Sequence, residues 1–386
     1  MAKKRMFGVF VFSYYLQDTR VIQQCEALAS SGSSVRVYCL RRQGEVKYEI
    51  RNGVEICRFN FQGQEKTRTK FLYALLTLRF FTYALFTNMI KIKSFAVIIV
   101  HNMPNYLVFS AVVNRFFGAK VILDCHDLMP EVLLADSKNS DSFVGRLLYR
   151  ILCLEEKISH KMASLRITVN HQVANYLSER NKVSYEVIHN GPLIVPDTQK
   201  KMDVSRSSLV FVGNIHARYG LDNVIRALPL VRESKSDVTL DIYGDGPHAQ
   251  NLKSLTQELG VGQIVRFHGR YDPVELPDIL SNHSIGIATL VKCKQNDLAI
   301  PVKATEYIAS GTPFICSNLE TVKLYFQNFG IEYVDYDDSR KIAFGILKMI
   351  DEYHSYREDL KISTAKLTNI SWSEERRKFI EFVSSD

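Results

Sequence analysis

Strand, helix, strand is the order in which this chain begins, and the same order begins its second half; that repetition limits the folds open to it. Met6 to Phe12 is apolar and β-rich, and Asp18 to Ser31 then carries Val21, Cys25, Leu28 and Ala29 at helical spacing before stopping at Gly32. Val35 to Leu40 is the next strand, so the chain opens as a βαβ unit and hence as a parallel sheet. Ser208 to Val212 starts the pattern afresh, with a helix from Asp222 to Glu233 behind it. At 386 residues the chain is long for one domain and comfortable for two. The expected architecture is α/β, with two Rossmann-like, doubly wound domains. These occupy residues 1–196 and 208–368, joined by a polar linker at 197–207, with a C-terminal helix in 369–386.

A net charge of +8 suits an anionic partner: a phosphorylated substrate, a membrane surface or a nucleic acid. No nucleic-acid module and no interleaved aromatic-basic repeat is present, so nucleic acid is set aside. Seven scattered cysteines, odd in number and never spaced Cys-x-x-Cys, read as reduced thiols in a cytoplasmic compartment and argue against a disulfide framework and a zinc site. The N-terminal Met-Ala-Lys-Lys-Arg runs into a strand too short for a signal-peptide core. The most apolar region, Phe71 to Ile90, is interrupted by Arg79 and thinned by Thr77, Thr82, Thr87 and Asn88, which argues against a spanning helix. Its aromatic residues and basic flanks lead to an expectation of peripheral membrane contact through 66–93, on the inner face of the plasma membrane; an aromatic-lined acceptor site would use the same residues.

Polar residues gather where strands end, which is where open α/β sheets collect ligand groups. Phe95 to Val100 ends in His101-Asn102, and Lys120 to Asp124 ends in Cys125-His126-Asp127-Leu-Met-Pro130-Glu131. A helix over Tyr106 to Phe117 separates those two strands. In the second half, Gly213-Asn214 follows a strand and Arg218-Tyr219-Gly220 opens a helix, an arrangement that suits a phosphate-approaching loop. Thr239 to Tyr243 enters the turn Gly244-Asp245-Gly246-Pro247, whose glycines and proline are explained by turn geometry. Ile264 to His268 leads to Gly269-Arg270. Asp297 to Ile315 reads as a loop, a helix carrying Lys303 and Glu306 in its first turns, a stop at Gly311, and a strand after Pro313. Such a helix N-terminus can hold a phosphate, with Lys303 adding charge and Glu306 accepting hydrogen bonds from sugar hydroxyls; on residues alone, a capped helix with both side chains solvated fits better.

The motif Pro301-x-Lys303-x-x-Glu306-Tyr307-x-Ala309-x-Gly311-x-Pro313 resembles the donor-binding signature of retaining glycosyltransferases of the GT-B fold, in the family 4 group. Cys125-His126-Asp127-Leu-Met-Pro130-Glu131 resembles that family's motif whose histidine lies over the transferred sugar. The Gly213 loop is similar to one that contacts the donor diphosphate, and Gly269-Arg270 to one that holds the base. The chain departs from the pattern in three places. Ser13 to Gln17 lacks a glycine pair, Tyr219 stands where a lysine is typical, and Leu298 stands where many members carry a glutamate.

The resemblance implies two domains facing across a cleft, and transfer of a sugar from a UDP- or GDP-sugar with retention of configuration. The acceptor would be a glycan or a lipid-linked molecule in cell-surface polysaccharide assembly. It gives His126, Arg218, Lys303 and Glu306 catalytic roles: His126 positions the sugar, Arg218 and Lys303 stabilise the diphosphate, and Glu306 fixes the ribose. Gly213, Asn214, Arg270, Pro301 and Thr305 are expected on the donor side, and Asp127 and Glu131 on the acceptor side. No metal and no cofactor beyond the donor substrate is expected, and Asp335-Tyr-Asp337-Asp338 reads as a surface loop. The rival readings are a catalytically silent nucleotide-sugar binder and another GT-B enzyme, such as a nucleotide-sugar epimerase.

Overall fold

The computed structural model describes residues 5–60, 70–135, 142–191, 205–327, 329–364 and 371–385. Positions 66–69 of the basic aromatic stretch and 197–204 of the expected linker lie outside them. The chain divides into two compact units, Met1–His189 with Glu375–Asp386, and Asn190–Glu374.

Unit 1 runs β1 (Met6–Phe10), α1 (Thr19–Ser30), β2 (Ser34–Arg41), β3 (Tyr48–Arg51), β4 (Val54–Asn60), α2 (Lys70–Ile90) and β5 (Val97–His101). It continues through α3 (Val112–Phe116), β6 (Lys120–Cys125), α4 (Met129–Ala135), α5 (Phe143–Met162), β7 (Leu165–Thr168), α6 (His171–Asn181) and β8 (Glu186–Val187). Its sheet has the order β3-β4-β2-β1-β5-β6-β7-β8, parallel throughout except for the β3–β4 hairpin. The central strands are nearly unbroken apolar runs because helices cover both faces; all five residues of β5 are buried. Gly8 in β1 leaves the space that the Phe95 ring fills, since a Cβ there would lie 3.0 Å from it.

The segment expected as one helix over Tyr106 to Phe117 is instead a 3-10 turn, Asn105–Ala111, followed by the short α3. The β3–β4 hairpin has no counterpart in the sequence reading.

Unit 2 runs β9 (Ser208–Val212), α7 (Leu221–Ser234), β10 (Thr239–Tyr243), α8 (Ala249–Glu258), β11 (Val265–Gly269), α9 (Leu276–Ser281), β12 (Ile285–Ala288) and α10 (Lys294–Leu298). There follow α11 (Val302–Ala309), β13 (Phe314–Ser317), α12 (Glu320–Tyr325), β14 (Ile331–Val334), α13 (Ser339–Asp351), α14 (Tyr353–Thr364) and the start of α15 (Trp372–Ser384). The sheet order β11-β10-β9-β12-β13-β14 is parallel throughout and reverses direction at β9 and β12, the switch point of a doubly wound sheet. Strand β9 is buried on both faces: Leu209 and Phe211 join one apolar cluster, Val210 and Val212 the other.

Tyr307 fixes α11 on this sheet. Its ring lies over Gly286, where a Cβ would approach it to 2.7 Å, and its hydroxyl donates to the carbonyls of Val210 (3.1 Å) and Ile287 (3.3 Å). Lys303 sits one turn earlier on the same side of the helix.

From Glu375 onward, α15 belongs to unit 1. Glu375 accepts from the His189 backbone N–H (2.9 Å) and pairs with its Nδ1 (3.0 Å), and Lys378 donates to the Val187 carbonyl (2.6 Å). Phe379 and Val383 are buried there. Trp372, the first residue of this helix, falls within unit 2.

Candidate active site

In unit 2 the site is built on close backbone approach. Gly213 follows β9 with φ +118°, and its N–H donates to the Tyr243 carbonyl at 2.9 Å. Gly244 has φ +143°, and a Cβ on it would lie 1.8 Å from the Gly213 carbonyl oxygen. A Cβ on Gly246 would lie 2.2 Å from the Ile215 carbonyl oxygen and 2.4 Å from Oδ1 of Asn214. Only glycine allows these loops to meet, so the turn assigned to geometry in the sequence also brings the Gly213 loop against its neighbours.

Lys303 comes up beside Gly213. It is 7% exposed, with Nζ 3.5 Å from the centre of the Phe211 ring and 4.1 Å from that of Tyr219. Nζ has no hydrogen-bond partner among the described residues. Burial drives its pKa well below the ordinary lysine value; Glu306 opposes that shift and Arg218 adds to it. Glu306 is half-buried, and burial raises its carboxyl to about 7 against the pull of Lys303. Pro301 is the buried N-cap residue of α11, with no side-chain cap on the helix, so the first-turn N–H groups rely on the backbone, solvent or a ligand.

The remaining donor-side candidates divide. Arg218 is exposed, with its guanidinium 5.3 Å from the centre of the Tyr219 ring. Asn214 is exposed beside Gly246. Arg270 is exposed and pairs with Asp245 at 3.3 Å. Thr305 is buried, and its hydroxyl donates to the Val302 carbonyl at 2.7 Å, so that proton is spent within the helix. Beside the departure at Leu298, Asp297 keeps a buried Oδ1 without a hydrogen-bond partner among the described residues, and burial raises its pKa. Phe211 and Tyr219, the two rings enclosing Lys303, were not marked as binding residues by the sequence. The signal was the alternation in β9, which turns Phe211 to the side opposite Val212.

In unit 1, His126 follows β6 with its backbone N–H donating to Asn102 Oδ1 (2.9 Å), while Asn102 Nδ2 donates to the Asp127 carbonyl (2.7 Å). Nε2 of His126 lies 3.0 Å from Nδ1 of His101, with Asp124 Oδ2 3.5 Å from both. Gln24 donates to that oxygen at 2.7 Å. The imidazole planes lie within 13° of each other and their centres are 5.3 Å apart, which is the nitrogen–nitrogen distance plus one ring radius at each end. The two nitrogens therefore point at each other along one line.

These three residues also bring potential ligand atoms within 4.8 Å of one another, a spacing a metal could use. Ligands to one ion would turn their lone pairs toward a common third point. The in-line arrangement is instead that of an N–H···N hydrogen bond.

Burial lowers His126 well below the usual histidine value and His101 to about 4, and raises Asp124 to about 7. Both rings are thus neutral near pH 7, and one proton is held between them. Nδ1 of His126 and Nε2 of His101 are buried with no partner among the described residues. Glu131, expected on the acceptor side, accepts from Tyr149 (2.9 Å), Tyr176 (2.7 Å) and Arg180 (2.5 Å), which ties α4 to α5 and α6. Asp127 is half-buried beside His126.

Two family models match. One, described as "Glycosyl transferase 4-like domain", spans residues 17–191, and the other, "Glycosyl transferases group 1", spans residues 198–366. The chain belongs to the group 1 glycosyltransferases of the GT-B fold.

Among curated relatives, a GDP-mannose-dependent alpha-(1-6)-phosphatidylinositol monomannoside mannosyltransferase of Mycobacterium tuberculosis is 28% identical over 29% of this chain and 30% of its own length. A putative teichuronic acid biosynthesis glycosyltransferase, TuaH of Bacillus subtilis, is 25% identical over 56% of this chain and 55% of its own. The matched stretches thus span about a third to a half of these relatives. Among solved structures, the sucrose-phosphate synthase of Thermosynechococcus elongatus superposes with a TM-score of 0.80 at 16% identity, covering 98% of each chain. Anabaena HepE in complex with UDP-glucose superposes at 0.70 and 14% identity, covering 99% of this chain and 100% of that one.

An ammonium held without a partner destabilises the folded state, because the unfolded chain keeps its proton more readily. Lys303→Met is expected to raise stability near pH 7 by about 1–3 kcal/mol in urea unfolding. Because the folded pKa is depressed, the penalty is full below that folded value and fades as pH rises from there toward the ordinary lysine value of 10.5, so the advantage of Met narrows steadily through the alkaline range and is lost above it. A less stable Met variant would contradict an unpaired ammonium at this position.

Proposed function

We propose that this glycosyltransferase moves a hexose from a nucleoside diphosphate sugar to a glycan or lipid-linked acceptor in cell-surface polysaccharide assembly, with retention of anomeric configuration and without a metal. The observation that carries the reading is the buried, unpaired Nζ of Lys303 beside Gly213 at the start of α11. A diphosphate supplies what this pocket lacks: an anion for the ammonium, and acceptors for the backbone N–H groups of a helix N-terminus. The names of the relatives support the donor class, since one uses GDP-mannose and another was solved with UDP-glucose. The phosphatidylinositol mannoside and teichuronic acid named for two of them support an acceptor at the cell surface.

In the proposed step, the bond from the anomeric carbon to the diphosphate oxygen breaks and the acceptor oxygen bonds to the same face of that carbon. The acceptor hydroxyl proton passes to the departing phosphate. Lys303, Arg218 and the α11 N–H groups stabilise the negative charge as it develops, and they replace the metal in that role. Glu306 accepts from the ribose hydroxyls.

In unit 1, His126 is assigned to the sugar through Nδ1, its unpaired ring nitrogen, and His101 is a positioning residue that holds the ring through Nε2. Peripheral membrane contact through 66–93 on the cytoplasmic face is part of the same reading.

The test is nucleotide release from a panel of UDP-, GDP- and other activated sugars in EDTA, with and without membrane extract. Release from one donor, reduced at least ~100-fold in Lys303→Ala and Glu306→Ala, is expected. Donor binding with no release from any sugar would favour the silent binder, and interconversion of a donor without acceptor would favour an epimerase.

His101→Phe is expected to lower kcat about 10–100-fold with little change in donor KM, and His101→Gln, which can donate to Nε2 of His126, to recover part of it. Equal losses in the two variants would reduce His101 to a packing role.

A further inference from the structure

Helix α5 is built inside out. Its inward residues are polar: Glu156 pairs with Arg180 (2.7 Å) and accepts from Asn181 (2.9 Å), Ser159 donates to Glu155 (2.7 Å), and His160 is buried beside Cys125. Its outward stripe is apolar. Phe143, Leu147, Ile151, Leu154 and Ile158 follow helical spacing and are all exposed, from 49% at Leu147 to 75% at Phe143. The stripe extends over about 22 Å of helix. A row of large apolar side chains turned to water marks an interaction surface, because an ordinary surface helix points its apolar side at the core.

The stripe continues onto neighbouring elements. The crossovers from β4 to β5, from β5 to β6 and from β6 to β7 all step in one direction along the sheet, so right-handed connections place α2, α3 and α5 on one face. The 3-10 turn at Asn105–Ala111 packs against both α2 and α5, and Tyr106 in it donates to Thr77 of α2 at 2.6 Å. On this face α2 exposes Phe71, Phe86 and Ile90, and α3 exposes Phe116.

The charges decide the occupant. Arg146, Arg150 and Lys161 of α5 are exposed, whereas its two acidic residues are turned inward. Neither α2, α3 nor the 3-10 turn contains an acidic residue, and Lys91, Lys93 and Arg115 add positive charge. An apolar stripe flanked by these cations fits the surface of an anionic bilayer, where the side chains enter the acyl boundary and the cations meet headgroups. A second copy would bring the same positive border against itself, which disfavours a dimer through this face. Among the described residues no helix is long and apolar enough to cross a membrane, so the contact lies in the interface plane.

We infer that the α5 stripe, together with the exposed faces of α2 and α3, docks unit 1 on an anionic lipid surface. This goes beyond the stretch singled out in the sequence, places the centre of the contact on α5, and does not rest on the transferase reading.

The test is flotation of the full chain with phosphatidylcholine vesicles and with vesicles containing about 30% phosphatidylglycerol. Binding is expected to the anionic vesicles, weaker in high salt, and reduced at least tenfold in the double variant Leu147→Glu/Ile151→Glu. Both positions are on the surface, so circular dichroism and nucleotide release without membranes should match the parent. Arg146→Gln/Arg150→Gln is expected to lose the preference for anionic lipid. Absence of flotation by the parent, or equal flotation by parent and Glu variant, would overturn the inference. So would a dimer, measured by sedimentation and abolished by the Glu pair, that does not bind vesicles.

Discussion

The ammonium of Lys303, buried between two aromatic rings without a hydrogen-bond partner, is the constraint on which the rest of unit 2 depends. Such a group is costly to hold, and the fold holds it through several independent contacts. Tyr307, one turn along α11, is fixed by two carbonyls of the sheet and by the absence of a side chain at Gly286. Phe211 is held by the strand that lies at the centre of both apolar clusters. Gly213, Gly244 and Gly246 then let the neighbouring loops close to backbone contact, with Gly213 beside the Lys303 ammonium. The ring faces lessen the desolvation of the ammonium, but do not replace an anion.

Unit 1 applies the same logic with neutral groups. Its parallel strands are buried on both faces, and polar side chains come together at their carboxyl ends, where His101, Asp124 and His126 meet. Burial keeps both imidazoles neutral, and the in-line hydrogen bond holds one of the two nitrogens of His126 and leaves the other unpaired. The ring is therefore oriented by protein before any ligand arrives, which is the arrangement that positioning of a sugar requires. The helices on the solvent side of this sheet carry a separate property, an apolar and basic surface.

Much of this was legible in the sequence because it depends on local pattern. The βαβ openings, the strand ends and the start of α11 come from periodicity and from glycine and proline placement, and the family motifs fall on those positions. What escaped depends on contacts distant in the chain. Gln24 reaches Asp124 across a hundred residues, and Glu131 reads as an acceptor ligand until Arg180 is seen beside it. The Asn105–Ala111 turn looks helical in sequence, yet it is a 3-10 segment wedged between α2 and α5. The helical spacing of α5 was readable, but which side faced inward was not, since periodicity alone does not say where the core lies.

The central claim, an ammonium held ready for a diphosphate, is tested most directly by titrating Lys303 itself. The measurement is NMR of 13C-methylated lysines in the full chain, with the resonance assigned through Lys303→Met and followed against pH, alone and with UDP or GDP. Titration well below the range of the other lysines in the free protein is the result predicted, with a rise when the matching nucleotide binds. Titration in the ordinary lysine range, unchanged by either nucleotide, would contradict it.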